Sequence, residues 1–113
     1  DLLEAYHYRG IVRYGMKDLD GALADYNKAI SLGLKSSAVY FNRGVIFHQK
    51  GQLSDAIESY SRSIEIDPSN ARAYYNRAIS KLIVDNYKEA LQDLEISKRL
   101  GYSKAAEVIS QYY

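Results

Sequence analysis

A single offset of 34 residues governs this sequence. Tyr6, Tyr40 and Tyr74 fall in register at that spacing, and so do Arg9, Arg43 and Arg77. Ala22, Ala56 and Ala90 follow, then Leu19, Leu53 and Tyr87, then Tyr26, Tyr60 and Leu94, then Ile30, Ile64 and Lys98. A fixed period of about 20 to 50 residues is the signature of a repeat architecture, in which each unit buries its apolar face against its neighbours. Three units result, 3–36, 37–70 and 71–104, joined without insertion or deletion. Residues 105–113 remain as a closing helix or the start of a fourth unit. The whole of 1–113 reads as one domain.

Each unit reads as two antiparallel helices. Val39, Tyr40, Val45, Ile46 and Phe47 are spaced for a helix over 38–50, not for strand alternation. Gly51-Gln52 interrupts the pattern, and Ser54 is the expected N-cap of the next helix, with Asp55 in its first turn. That helix presents Ala56, Ile57, Tyr60, Ile64 and Ile66 and stops before Pro68, which cannot continue it. Gly33 after Leu32 and Gly101 after Leu100 fit left-handed C-caps. Six helices follow, with a seventh from about Ser103. Gly10, Gly44 and Ala78 are expected to face Ala22, Ala56 and Ala90 across each hairpin, because small residues let helices approach closely.

Composition narrows the function. Fifteen Lys and Arg against fourteen Asp and Glu leave a net charge of +1, which argues for no nucleic acid and no anionic membrane surface. There is no cysteine, so disulfides and thiolate chemistry are excluded and the redox compartment stays open. No apolar run approaches a membrane span. An intracellular setting is expected over a secreted one. The chain starts at Asp1 and reads as a piece of something longer. His7 and His48 are the only histidines, and neither has a carboxylate partner at ligand spacing. Phosphate loops, nucleophile elbows and zinc-protease motifs are missing. No enzyme activity, metal or cofactor is expected.

Three arginines need a role. Arg9, Arg43 and Arg77 are either a basic ladder for an acidic ligand or structural groups paired with second-helix acids such as Asp25 and Asp93. Their place beside Gly10, Gly44 and Ala78 favours the structural role, since that side should face the neighbouring helix.

The middle unit resembles the tetratricopeptide repeat in Tyr40, Gly44, Phe47, Ala56, Tyr60, Ser63 and Pro68. The first unit matches at Tyr6, Gly10, Ala22, Tyr26 and Ala29, but has Leu34 for the proline. The third matches at Tyr74, Ala78, Ala90 and Ser97, with Leu94 for the aromatic and Tyr102 for the proline. The resemblance implies an all-α fold, a right-handed α-solenoid of antiparallel helix pairs with three repeats and about seven helices. It also implies that first helices line a concave face. That face would carry Glu4, His7, Tyr8, Ile11 and Tyr14, then Ala38, Phe41, Asn42, Val45, His48 and Gln49. Arg72, Tyr75, Asn76, Ile79, Leu82 and Ile83 would follow, with Tyr112 and Tyr113 closing the far end.

Such an apolar, aromatic wall facing water fits a binding surface. The expected function is a non-catalytic module that binds a peptide or helix of an unidentified partner protein. Tyr8, Ile11, Phe41, Val45, Tyr75 and Ile79 would supply area, and His7, His48 and Arg72 specificity. Asn42 and Asn76 would form a short ladder of the kind other family members use to hold a peptide backbone, because an amide both donates and accepts. The family's clamp for the C-terminal carboxylate of chaperones would fall on His7, Ile11, Asn42, Arg72 and Asn76. Ile11 cannot donate and Asn76 lacks a cation, so a chaperone tail is not the expected ligand. Two alternatives stay open: a structural or self-associating segment of a longer solenoid, and a substrate-recruiting domain of a larger enzyme.

Overall fold

The computed structural model describes residues 1–113 as seven α-helices with no strand. They are α1 (Leu2–Gly15), α2 (Leu19–Ser31), α3 (Ser37–Gln49), α4 (Leu53–Ile66), α5 (Ala71–Ile83), α6 (Tyr87–Arg99) and α7 (Ser103–Tyr112). Helices pair as hairpins α1–α2, α3–α4 and α5–α6, and the hairpins stack in chain order, with α7 against α6. The result is an all-α solenoid segment measuring 47 × 25 × 21 Å.

Helix starts are written in side chains. Asp1, Asp18, Ser36 and Asn70 each accept a backbone N–H three residues on, which satisfies a donor the helix leaves free. Ser54 is not such a cap. Helix α4 begins two residues earlier than expected, at Leu53, and its cap Gln52 makes no side-chain bond. The reason lies in the preceding turn, where Gly51 N–H donates to His48 and Gln52 N–H to Phe47. That backbone closure leaves Ser54 inside the first turn. Asp55 lies in the first turn, as the sequence predicts.

The same closure recurs in every hairpin. It needs one left-handed residue, and Lys17 (φ 63°), Gly51 (φ 75°) and Asp85 (φ 63°) occupy that place at the 34-residue interval. Only the middle turn has the residue suited to it. Between units, Gly33 (φ 107°) and Gly101 (φ 101°) take the left-handed conformation expected of them. There, Leu34 N–H bonds to Ala29 and Tyr102 N–H to Ser97, the Schellman pattern.

Ala22, Ala56, Ala78 and Ala90 are fully buried. The surface that meets the glycines, however, is a tyrosine ring. A Cβ on Gly10 would lie 2.8 Å from Cδ1 of Tyr26, and one on Gly44 would lie 2.5 Å from Cε1 of Tyr60. The first two hairpins are therefore set by a ring that fills the gap a glycine leaves. In the third hairpin Ala78 and Leu94 take these two places, and both are fully buried beside Ala90 and Ala105. The smaller aliphatic side chain leaves room for a methyl group.

The helices of the second and third hairpins are also tied by hydroxyls. Ser63 Oγ donates to the Ser37 carbonyl at 2.9 Å, and Ser97 Oγ donates to the Ala71 carbonyl at 2.8 Å. Every buried side-chain polar atom has a partner.

Gly44→Ala should destabilise the protein by about 1–3 kcal/mol, the usual cost of overpacking a tight site. Gly15→Ala, whose added methyl meets nothing within 4 Å, should be neutral or slightly stabilising. Denaturant unfolding of the two variants measures the contrast.

Candidate functional site

The first helices form one wall of the stack, and α3 packs directly against α5. Between them lies an open pocket of about 250 Å³, lined by Val45, His48 and Gln49 from α3, by Tyr75, Asn76 and Ile79 from α5, and by Tyr60 at its base. Val45, His48, Tyr75, Asn76 and Ile79 of the predicted surface thus meet around one cavity. Gln49, predicted for the wall, and Tyr60, predicted only for packing, join them. The lining carries no Lys, Arg, Asp or Glu.

Phe41 and Arg72 stand nearby as a stacked pair. The Arg72 guanidinium lies 5.4 Å from the Phe41 ring centre, and that ring packs on Tyr60 at 5.8 Å. No carboxylate forms an ion pair with Arg72, whereas Arg9, Arg13, Arg43, Arg62 and Arg77 each have one. His48 faces the buried Ser80 hydroxyl, with Nδ1 to Oγ at 3.2 Å. His7, Tyr8 and Ile11 lie on α1, outside the pocket. His7 and Tyr8 stack on each other at 5.4 Å, and Tyr8 and Ile11 are exposed.

The two asparagines have a partner that sequence reasoning missed. Asn42 Nδ2 donates to the Tyr26 hydroxyl at 3.2 Å, one unit earlier in the stack. Asn76 lies at the corresponding place beside Tyr60, and the two line the pocket together. The Asn42 amide thus serves the hydroxyl of the ring that sits over Gly10 in the preceding hairpin. The first unit has Tyr8 in this place. The available signal was the pairing itself: an asparagine follows each unit whose second helix carries the tyrosine, and Ser110 follows the unit with Leu94. One donor of the Asn42 amide is engaged, and its remaining valences are open to a ligand.

The three arginines are structural. Arg9 grips Asp25 through Nε (2.9 Å) and Nη2 (2.8 Å), and Arg77 grips Asp93 through Nε (2.9 Å) and Nη2 (2.7 Å). Arg43 has Ser59 in place of the acid and bonds Ser59, Glu58 and Asn27. Each guanidinium also lies over a tyrosine of its own helix, Tyr6, Tyr40 or Tyr74. The bidentate bond from Arg9, with Arg13 in support, holds the Asp25 carboxyl below the usual carboxylate range.

Burial pushes the Tyr60 hydroxyl up to about 12, with the Asn76 hydrogen bond working against that rise. Burial likewise raises Tyr14, Tyr26 and Tyr75. No group of three or more acidic or histidine side chains could hold a metal ion. None of the helices is long and apolar enough to cross a membrane.

At the far end, Tyr75 and Ile79 also border a second cavity of about 570 Å³ that Tyr112 and Tyr113 of the last helix help to enclose. The Tyr113 hydroxyl donates to the Tyr87 carbonyl at 2.7 Å.

Stacked helical hairpins at a 34-residue period define a helical-repeat protein. A family model described as TPR repeat matches residues 44–81. The same side chains recur at the 34-residue interval on either side of that segment, so the rest of the chain resembles the matched repeat. Among solved structures it is similar to the TPR domain of Arabidopsis OM64, with 26% identity and a TM-score of 0.82 over 96% of this chain and 91% of that one. The first TPR of Spaghetti (RPAP3), bound to the HSP90 peptide SRMEEVD, superposes with a TM-score of 0.84 at 16% identity, over 96% of this chain and 88% of that one. The TPR2B domain of yeast Sti1, in complex with an Hsp70 peptide, gives 0.79 at 24% identity, over 97% and 91%. No curated protein sequence matches the chain.

Two outcomes follow from the tyrosines. A double-mutant cycle of Tyr26→Phe with Asn42→Ala should return a coupling of about 0.5–1.5 kcal/mol in unfolding free energy. Folded Tyr60 resists ionisation beyond the ordinary value near 10, so its stabilising effect is whole below pH 10 and is lost as pH rises from 10 towards 12. Stability measured across that window should fall, and Tyr60→Phe should flatten the decline.

Proposed function

We propose that this protein is a non-catalytic interaction module that takes a peptide of a partner protein along its concave wall. The observation that carries the reading is the open, uncharged pocket between α3 and α5, continued past Tyr75 and Ile79 into the second cavity. Val45, Tyr75 and Ile79 supply apolar area there. His48, Gln49 and Asn76 supply polar groups at the edge, and Phe41 with Arg72 borders the seat. Asn42 contributes the amide valences that Tyr26 leaves free, and His7, Tyr8 and Ile11 extend the surface along α1. Two structures similar in fold hold chaperone peptides, which supports a peptide as the type of ligand.

An extended segment with apolar side chains fits this wall better than an acidic chaperone tail. Of the five clamp places, only Arg72 carries a fixed positive charge, and its guanidinium lies over Phe41. The expected affinity is micromolar, about −8 kcal/mol.

The test uses the partner recovered with this chain and the peptide mapped from it by crosslinking. Val45→Arg and Ile79→Arg should each weaken binding at least about tenfold, or 1.4 kcal/mol. Arg62→Ala, outside the pocket, should leave it unchanged. Equal affinity for all three variants removes the pocket from the binding site. The peptide SRMEEVD should bind more weakly than the mapped peptide, and the reverse order would restore the chaperone reading.

A further inference from the structure

With the concave pocket taken as the binding site, we propose that His48 reads a carbonyl oxygen of the bound peptide through Nε2–H, a role that rests on that reading. The buried Ser80 hydroxyl is the positioning group. Ser80 is 0% exposed, and its Oγ lies 3.2 Å from His48 Nδ1. It makes no other hydrogen bond. Ser61 of α4 shows the local alternative, since its Oγ donates to the Ile57 carbonyl four residues back at 2.8 Å. Ser80 does not turn back on its own helix in this way.

That geometry decides the protonation of the ring. A buried hydroxyl hydrogen left without an acceptor is costly. His48 Nδ1 is the one acceptor that the Ser80 hydrogen meets. Nδ1 therefore accepts, and the proton of the neutral imidazole stands on Nε2. Nε2 has no partner within the chain, and His48 lines the pocket between α3 and α5. The pocket thus holds a donor of fixed identity among Val45, Tyr75 and Ile79.

The preceding pair of units separates this arrangement from simple packing. Tyr14 and Ile46 stand 34 residues before His48 and Ser80. Ile46 is fully buried in a core cluster, and Tyr14 packs against that cluster. An apolar pair therefore fills these two places between the first and second units, and the stack needs no polar group there. Between the second and third units the places hold an imidazole and a hydroxyl, which bury less apolar area and require a hydrogen bond. A donor at the pocket wall is what that exchange adds.

The lining also sets the chemistry of the acceptor. No Lys, Arg, Asp or Glu lines the pocket, so a neutral oxygen suits it better than a carboxylate. In a peptide that oxygen is a carbonyl, of the backbone or of an Asn or Gln side chain.

The test is nitrogen NMR of the histidine rings at about pH 8.5, above the range in which histidine titrates. The chain has two histidines, and His48→Gln assigns the signals. Wild-type His48 should carry its proton on Nε2, and Ser80→Ala should shift the Nδ1 resonance. A proton on Nδ1, or an Nδ1 resonance indifferent to Ser80→Ala, overturns the proposal. On saturation with the peptide mapped by crosslinking, exchange of the Nε2 proton with water should slow by at least about tenfold. Replacing each Asn and Gln of that peptide by Ala tells the two oxygens apart: lost protection assigns the side chain, and retained protection the backbone. If Val45→Arg and Ile79→Arg weaken binding while the proton exchanges at its free rate, the role of His48 falls and the pocket stands. If those two variants bind as the wild type does, the pocket reading falls first.

Discussion

A tyrosine ring laid over a glycine is the contact on which the stack depends. Tyr26 covers Gly10 and Tyr60 covers Gly44, at separations that leave no room for a methyl group. This sets how closely the two helices of a hairpin approach. The far end of the same ring carries a hydroxyl, which must be bonded once it is buried. Asn42, on the first helix of the next unit, meets that need for Tyr26, and Asn76 stands at the same place beside Tyr60. One side chain thereby controls spacing within a hairpin and register between hairpins. Where Leu94 replaces the tyrosine, Ala78 replaces the glycine and no asparagine follows.

Charge is organised in the same economical way. The buried acids Asp25 and Asp93 are met by arginines of the partner helix, in a two-point geometry that suits guanidinium and carboxylate. A buried ion pair contributes little net stability but is costly to break, so its main effect is to hold one alignment of the hairpin. Spending the arginines on this seam leaves the pocket lining free of formal charge, with Arg72 the one unpaired arginine beside it. Pairing these charges within the hairpins leaves the pocket lining suited to apolar contact.

Much of this was legible beforehand, for identifiable reasons. The period and the helix pairs follow from which residues recur. The Arg9–Asp25 and Arg77–Asp93 pairs follow from placing acids on the facing helix. Ser54 was misread because a serine before a helical run resembles a cap, while the backbone of the Gly51 turn had already closed and begun the helix. From sequence Asn42 and Asn76 are expected to serve a peptide backbone, and the structure shows Asn42 bonded to Tyr26 within the chain. An amide announces that it will bond, and the identity of its partner depends on the rotation of one hairpin against the next. For the same reason Tyr60 was assigned to packing alone, although its ring also floors the pocket.

Local chemistry that acts over a few residues is carried by the chain in linear order. The 34-residue period, the helix ends, the turns and the small residues at close approaches belong to it, because caps, propensities and left-handed turns are satisfied by near neighbours. Contacts between units belong to the fold. Which hydroxyl an asparagine serves, which arginine stays unpaired and which hydroxyl a histidine meets all depend on the angle at which hairpins stack. That angle arises from the packing of many side chains at once, and no single stretch of sequence contains it.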